Sequence, residues 1–159
     1  MKKLFIFIIA TLSFAACTDL DDELYDRIPE DKYPENETQA ALTTGSVYAP
    51  MQGLLDWGGW WFCQEIPSDE MTAPTRATDW YDGGKWQELH LHTWDNQTEA
   101  VTAMWSRFYE GIGEANKIIE QLGGDEAEGS GAVTVAKMKI MRAFYYYLLI
   151  DNYGDVPFV

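Results

Sequence analysis

The chain has 159 residues, with 11 Lys or Arg against 26 Asp or Glu, and its formal net charge is −15. This balance argues against nucleic acid as a partner, because phosphate binding needs a basic face. It also argues against side-chain contact with anionic lipid headgroups. With only 2 Cys in the chain, a disulfide-rich scaffold is excluded as well.

Residues 1–16 have the pattern of a signal peptide. Lys2 and Lys3 precede an apolar run that extends to Ala15-Ala16-Cys17. The alternative, a retained membrane anchor, would need about 20 apolar residues, and the run is shorter. A small-residue pair before Cys resembles the lipobox of bacterial lipoproteins. That resemblance implies that Cys17 is acylated and becomes the mature N-terminus.

Residues 17–35 read as a lipidated acidic linker. They contain Pro29, Pro34 and many charges, with no helical or strand period. The acidic residues after Cys17 resemble the surface-export signal of Bacteroidetes-type lipoproteins, and a solvated charged linker is the alternative. The folded part of the chain is therefore expected over residues 36–159.

A first helix is predicted to begin after Asn36, with Gln39 completing the cap. Pro50 lacks an N–H donor and predicts either a bend in this helix or a short turn after it. Residues 56–97 then show no helical stripe and are rich in Trp, which predicts a long structured loop. The aromatic group over residues 56–62 is expected to enter the core through Trp61 and Phe62.

Two long helices follow in the second half of the chain. Apolar residues at 3-4 spacing predict a helix over residues 98–122, with Asn96 as N-cap and Gly123-Gly124 as its end. After a flexible acidic connection, a helix from about Thr134 to Asn152 is apolar on nearly all faces. Such a helix must be covered on most sides, so we expect the chain to be the N-terminal part of a longer protein.

Several motifs in this order resemble the SusD/RagB family of outer-membrane nutrient-binding lipoproteins. The sequence RAFYYY from Arg142 and the turn YGDVP from Tyr153 are similar to the family's marker helix and turn. Ala115-Asn116-Lys117-Ile118-Ile119 resembles another family helix, residues 68–94 resemble the family's loop between helical units, and the lipobox is where the family has it. The resemblance implies a mainly α fold, a superhelix of tetratricopeptide-like helical hairpins with a long aromatic-rich loop.

The function that this resemblance implies is glycan binding at the cell exterior for nutrient uptake. A protein of this family is anchored in the outer membrane by its N-terminal lipid. It captures oligosaccharide or polysaccharide and delivers it to a partner SusC-like TonB-dependent transporter. Neither catalysis nor a cofactor is implied.

Sugar rings stack on flat aromatic platforms and are hydrogen-bonded at their rim. The segment from Thr75 to Trp86 supplies both kinds of group, with Gly83-Gly84 allowing a tight turn. The candidate platforms are Trp80, Tyr81 and Trp86, and the candidate hydrogen-bonding partners are Arg76, Asp79 and Asp82. The alternative for Trp80 and Trp86 is that they attach the loop to the helices.

Other functions are weighed against this one. A helical-repeat module that binds peptide or protein, as in RagB-like proteins, is the second candidate, and a glycoside hydrolase using Glu65, Asp69 and Glu70 is a weaker one. His90 and His92 would share one face of an extended segment, but zinc needs three or four ligands. Oxygen ligands for calcium are plentiful, without the spacing of an EF-hand. No zinc site is therefore expected, and calcium binding stays open.

Overall fold

A computed structural model describes residues 37–56, 58–78 and 81–159, which lie in one compact unit over residues 34–159. The predicted signal peptide, the lipidation site Cys17, the acidic linker and the predicted cap Asn36 lie outside the described residues. So do Trp57 and two of the candidate binding residues, Asp79 and Trp80.

The described residues form helices and contain no strand, which confirms the mainly α fold. The two longest elements are α5 (Glu99–Gln121, 23 residues) and α6 (Gly129–Tyr153, 25 residues), and shorter elements precede and join them. The elements in chain order are α1 (Glu37–Thr43), α2 (Gly45–Tyr48), a 3-10 turn (Ala49–Leu54), α3 (Trp60–Glu65), α4 (Lys85–His90), α5 (Glu99–Gln121), a second 3-10 turn (Gly124–Glu126) and α6 (Gly129–Tyr153).

Helices α5 and α6 pack against each other and enclose the main core. Because α5 has apolar residues every three or four positions, one of its faces is buried along the whole length. The α5 residues in this core are Met104, Phe108, Ile112, Ala115 and Ile118, and those of α6 are Met138, Met141, Tyr145, Tyr146, Leu148 and Leu149.

Tyr145 lies at the centre of this core and is fully buried. Its ring stacks on Phe108 at 6.0 Å between centroids. Its hydroxyl donates to the Val47 carbonyl of α2 at 2.5 Å, so a buried polar group has its partner. Burial raises the pKa of Tyr145 to about 12. The ring also lies over Gly111, where a Cβ would stand 2.4 Å from the Tyr145 Cε2 atom.

The N-terminal helical segment is divided more finely than either alternative predicted. Helices α1 and α2 are separate, and Pro50 lies near the start of the 3-10 turn that follows them. A Pro in the first turn loses no hydrogen bond, because that N–H has no helical partner. Val47 is the α2 residue that enters the main core.

Two predicted helix boundaries were wrong. Helix α5 begins after Thr98, not Asn96, because the Thr98 carbonyl accepts the first helical bond from Thr102 N–H at 3.0 Å. Asn96 lies instead in a turn in which Asp95 Oδ1 accepts from Gln97 N–H at 2.8 Å. Helix α6 begins at Gly129, five residues before the predicted Thr134, since the Glu128 carbonyl already accepts from Gly131 and Ala132. The predicted end of α5 at Gly123 is confirmed, with φ 88°.

The chain after α6 folds back onto the two long helices. The Tyr146 hydroxyl donates to the Val159 carbonyl at 3.0 Å and accepts from the Val159 N–H at 2.8 Å. Phe158 stacks on the Tyr146 ring at 4.8 Å. The Tyr109 hydroxyl of α5 donates to the Pro157 carbonyl at 2.7 Å. Side chains from both helices therefore fix the path of residues 154–159.

Asn116 connects this segment with both helices. Its amide donates to the Val159 carbonyl at 3.2 Å, and its Oδ1 accepts from Arg142 at 2.6 Å. Asn116 belongs to the Ala115–Ile119 motif and Arg142 begins the RAFYYY motif, and both motifs carried the family resemblance. Val159, which Asn116 contacts, lies just after the third motif, YGDVP. We call Asn116, Arg142 and Tyr146 the C-terminal clamp.

One face of α6 remains uncovered. Val133, Ile140, Tyr147 and Ile150 recur along this face and are each more than half exposed. The prediction that α6 lacks part of its cover is confirmed only in part, because Ile140 is exposed, whereas Met138, Tyr145 and Leu149 are fully buried. Among the described residues, no helix combines the length and apolar character needed to span a bilayer.

Candidate functional site

The loop between α3 and α4 is closed at its base by a hydrogen bond. The Thr75 hydroxyl donates to Asp82 Oδ1 at 2.5 Å. The same carboxylate oxygen accepts from the Gly84 N–H at 3.0 Å. Because Thr75 and Asp82 are seven positions apart, this bond holds together the two ends of a loop, whose described tip residues are 76–78 and 81.

The tight turn expected at the two glycines is present. Gly83 has φ 73° and Gly84 has φ 86°, a backbone region that residues with a Cβ rarely occupy. The turn brings the Gly84 N–H to the Asp82 carboxylate. Hydrogen bonds from the Thr75 hydroxyl, and secondly from this N–H, hold the pKa of Asp82 below its ordinary value of 3.8. Asp82 is therefore ionised at neutral pH and braces the loop.

The tip of the loop carries the candidate binding groups. Tyr81 is 79 % exposed, and Arg76, which follows Thr75, is exposed as well. Asp79 and Trp80 belong to the same tip by sequence, although their structure is not described. An exposed ring next to charged groups fits the chemistry expected of a sugar platform.

Trp86 lies in the protein core, whereas stacking on a sugar requires a ring with an exposed face. It is 2 % exposed in α4, with its ring 5.5 Å from that of Phe62 and its edge against Gly58. Neither face of the indole is open to a ligand. With Ile66, Leu89 and Ala100, Trp86 forms a second core cluster that attaches the loop to α3 and α5. We therefore revise its expected role from platform to support.

The aromatic group over residues 56–62 is divided between core and surface. Phe62 packs on the second core cluster, as expected, and Trp60 packs on the main core. Trp61 was expected in the core but is 38 % exposed. The cause is helical geometry, since α3 directs consecutive residues to different faces.

The two histidines lie in a turn, not in an extended segment. His90 ends α4, and His92 has φ 56°. His90 Nδ1 is 3.3 Å from the Ile66 carbonyl oxygen, and His92 Nε2 is 2.9 Å from that of Pro67. Their ring nitrogens thus engage the backbone after α3. Over residues 37–56, 58–78 and 81–159, no group of three or more His, Cys, Asp or Glu is arranged to hold a metal ion.

The helical fold agrees with what the comparisons with known proteins find. A family model for SusD-like proteins, described as "Starch-binding associating with outer membrane", matches residues 32–159. This match covers most of the chain, which therefore belongs to the SusD-like family. The family description combines starch binding with association with the outer membrane.

Two curated relatives are similar over the whole chain. The chain is 29% identical over 164 residues to "SusD-like protein P2" of Formosa agariphila, covering 100% of the chain and 31% of the relative. It is 26% identical over 162 residues to a "SusD-like protein" of Bacteroides ovatus, covering 98% and 28%. The chain thus spans less than a third of the length of these relatives. No solved structure matches it significantly.

Proposed function

We propose that this protein is a cell-surface glycan-binding lipoprotein, anchored in the outer membrane through acylated Cys17. The observation that carries the proposal is the family match over residues 32–159. In this proposal the protein captures oligosaccharide or polysaccharide and delivers it to a SusC-like TonB-dependent transporter. It acts by binding and not by catalysis.

The loop tip is the proposed place of glycan contact. The Thr75–Asp82 bond and the buried Trp86 fix the base of the loop, which reduces the entropy lost when the tip binds a ligand. Tyr81 and Trp80 would stack on the C–H faces of sugar rings, and Arg76 and Asp79 would contact hydroxyl groups. Asp82 contributes by holding the tip, because its Oδ1 is already engaged.

The test is calorimetric titration of the complete gene product, with Cys17 removed, against a panel of soluble polysaccharides and their oligosaccharides. We expect binding without the release of new reducing ends. Trp80→Ala and Tyr81→Ala should each weaken binding. Trp61→Ala is the matched control, because Trp61 is an exposed ring outside the loop.

Each outcome separates the candidate functions. Binding that is lost in the loop variants and retained in the control supports a glycan receptor with its site at the tip. New reducing ends would support a glycoside hydrolase. If no polysaccharide or oligosaccharide of the panel binds, this result would contradict glycan binding and favour the peptide-binding or protein-binding module. Co-purification with a SusC-like transporter tests delivery separately.

A further inference from the structure

A second candidate site is a pocket of about 310 Å³ between α3, the chain after α4, the first turns of α5 and the C-terminal end of α6. Its volume lies at the lower end of the range of about 300–1,000 Å³ that is typical of small-molecule sites. None of the described residues of the loop tip, 75–78 and 81–82, lines it.

The base of the pocket is apolar and one wall is aromatic. Leu89 and Met104 are buried at its base, and Val101 lies beside them. Trp94 forms the wall and is 42 % exposed. Its ring is held at 5.2 Å from the His92 imidazole, at an interplanar angle of 39°. An open indole beside an apolar base matches the C–H face of a sugar ring.

The rim carries a pair of carboxamides in a fixed arrangement. Gln64 Nε2 donates to Asn152 Oδ1 at 2.5 Å, and Asn152 Nδ2 donates to the Leu148 carbonyl at 2.6 Å. A carboxamide has two N–H donors and two acceptor lone pairs, so both groups retain capacity for a ligand. Asp151 adds an exposed carboxylate. The rim therefore offers donors and acceptors together, as hydroxyl groups require.

The charge of the lining discriminates between classes of ligand. Among the described residues that line the pocket there is no Lys or Arg, and Asp151 is an acidic residue at the rim. An anionic sugar or a phosphate would lose its hydration here without gaining a cationic partner. A neutral polyhydroxylated ligand avoids this cost.

The remaining polar groups at the pocket are used within the protein. The Tyr153 hydroxyl donates to the Val101 carbonyl at 2.5 Å, and the Cys63 thiol points to the Ala100 carbonyl at 3.8 Å. Burial raises the pKa of Cys63 to about 11, so the thiol is protonated at neutral pH and is a poor nucleophile. These groups favour a binding role for the pocket over a chemical one.

We propose that this pocket binds one ring of a neutral sugar, stacked on Trp94 and hydrogen-bonded by Gln64, Asp151 and Asn152. The inference rests on the proposed glycan-binding function and narrows its substrate class to neutral glycans. It also adds a contact point separate from the loop tip, so that one oligosaccharide chain, or two, can engage the protein at both places.

The experiment is calorimetric titration of the complete gene product, with Cys17 removed. The probes are linear oligosaccharides of glucose, xylose, mannose and galacturonic acid. We expect at least one neutral series to bind and the galacturonic acid series to be silent. Trp94→Ala should weaken the neutral binding about tenfold, which corresponds to one aromatic contact. Trp61→Ala, a similarly exposed Trp outside the pocket, should leave it unchanged.

Two further variants distinguish the loss of a binding contact from misfolding of the protein. Gln64 is exposed, so Gln64→Ala should weaken binding while leaving the thermal melt unchanged. Trp94→Phe keeps an aromatic platform and should retain most of the affinity.

The possible results distinguish this inference from the function on which it rests. Neutral binding that depends on Tyr81 and not on Trp94 would overturn the pocket and leave the glycan receptor in place. Binding of galacturonic acid oligomers alone would overturn the neutral class. If the wild type binds none of the probes, this result would contradict both sugar binding in the pocket and the proposed function.

Discussion

Gly111 is the residue at which the packing of α5 on α6 is tightest. The Tyr145 ring occupies the space that a side chain at position 111 would need, with a ring carbon 2.4 Å from the place of a Cβ. Tyr145 cannot move aside without breaking its hydrogen bond to Val47. Glycine is therefore required here by close approach of a neighbour, although it disfavours a helix.

Gly111→Ala and Gly113→Ala should have opposite effects on stability. We expect Gly111→Ala to lower the free energy of unfolding by about 1–3 kcal/mol through overpacking. Gly113 lies in the same helix with nothing within 4 Å of its Cβ position, so Gly113→Ala should raise it by about 0.5–1 kcal/mol. Urea denaturation measures both. Equal effects of the two variants would contradict the packing of Tyr145 on Gly111.

Asp82 makes the structure of the loop sensitive to pH. Its pKa in the folded state is lower than its ordinary value of 3.8. The stabilisation it gives is therefore complete above pH 3.8 and is lost as the pH falls through the folded pKa. Ordinary neutral conditions leave the loop base intact.

Thr75→Val should raise the pKa of Asp82 towards 3.8, because the hydroxyl of Thr75 is the largest cause of the depression. An NMR titration of the Asp82 side-chain carboxyl carbon measures this value directly. Thr78→Val, in the exposed tip of the same loop, is the control and should leave the pKa unchanged. An unaltered pKa in Thr75→Val would show that the Thr75–Asp82 bond does not form in solution.

Helices α5 and α6 are connected by the C-terminal clamp of Asn116, Arg142 and Tyr146. The clamp gives a structural reason for motifs that first stood out by resemblance. Asn116 of α5 accepts from Arg142 of α6 and donates to the backbone of Val159. Asn116 thus contacts α6 and the segment after it at the same time, in addition to the hydrogen bonds that Tyr109 and Tyr146 make to that segment.

Asn116→Ala should lower the free energy of unfolding by about 1–3 kcal/mol, because Arg142 and the Val159 carbonyl both lose a partner. Lys117→Ala, at an exposed neighbouring position, should change it by less than about 0.5 kcal/mol. Thermal or urea denaturation of the complete gene product gives both values. Residues 154–159 should also become more accessible to proteases in the Asn116 variant, and unchanged protection there would argue against the clamp.

At the scale of the whole molecule, the exposed apolar face of α6 decides how this part of the protein behaves by itself. Val133, Ile140, Tyr147 and Ile150 form a continuous apolar stripe, of the kind that promotes association when it is uncovered. The chain spans less than a third of the length of its curated relatives.

Residues 18–159 expressed alone should therefore self-associate. We expect size-exclusion chromatography with light scattering to show oligomers or aggregates in place of a monomer. Ile140→Lys together with Ile150→Glu should shift the distribution towards monomer, whereas Lys137→Glu, at an exposed position of the same helix, should not. Monomeric elution of the unmodified segment with a sharp cooperative melt would contradict the prediction.

The sequence by itself determined the two long helices, the register of α5 and its end at Gly123, but not the short helices α3 and α4, which lie within the segment predicted as a loop. These features follow from local rules, because apolar spacing and the φ preference of glycine act within a few residues. The family was also indicated by motifs within single helices, Ala115-Asn116-Lys117-Ile118-Ile119 and the Arg142 helix. The close turn at Gly83-Gly84 was expected on the same local grounds.

Only the tertiary structure decided which aromatic rings are open to a ligand. Trp86 and Tyr81 are five residues apart and chemically alike, yet Trp86 is covered by Phe62 and Gly58, which are distant in sequence. The pocket beside Trp94 is likewise assembled from α3, α5 and α6, and no local signal marks it. The start of α5 at Thr98 was missed because Ser, Thr, Asp and Asn all favour the cap position. Burial depends on which segments meet, and local preference does not specify that.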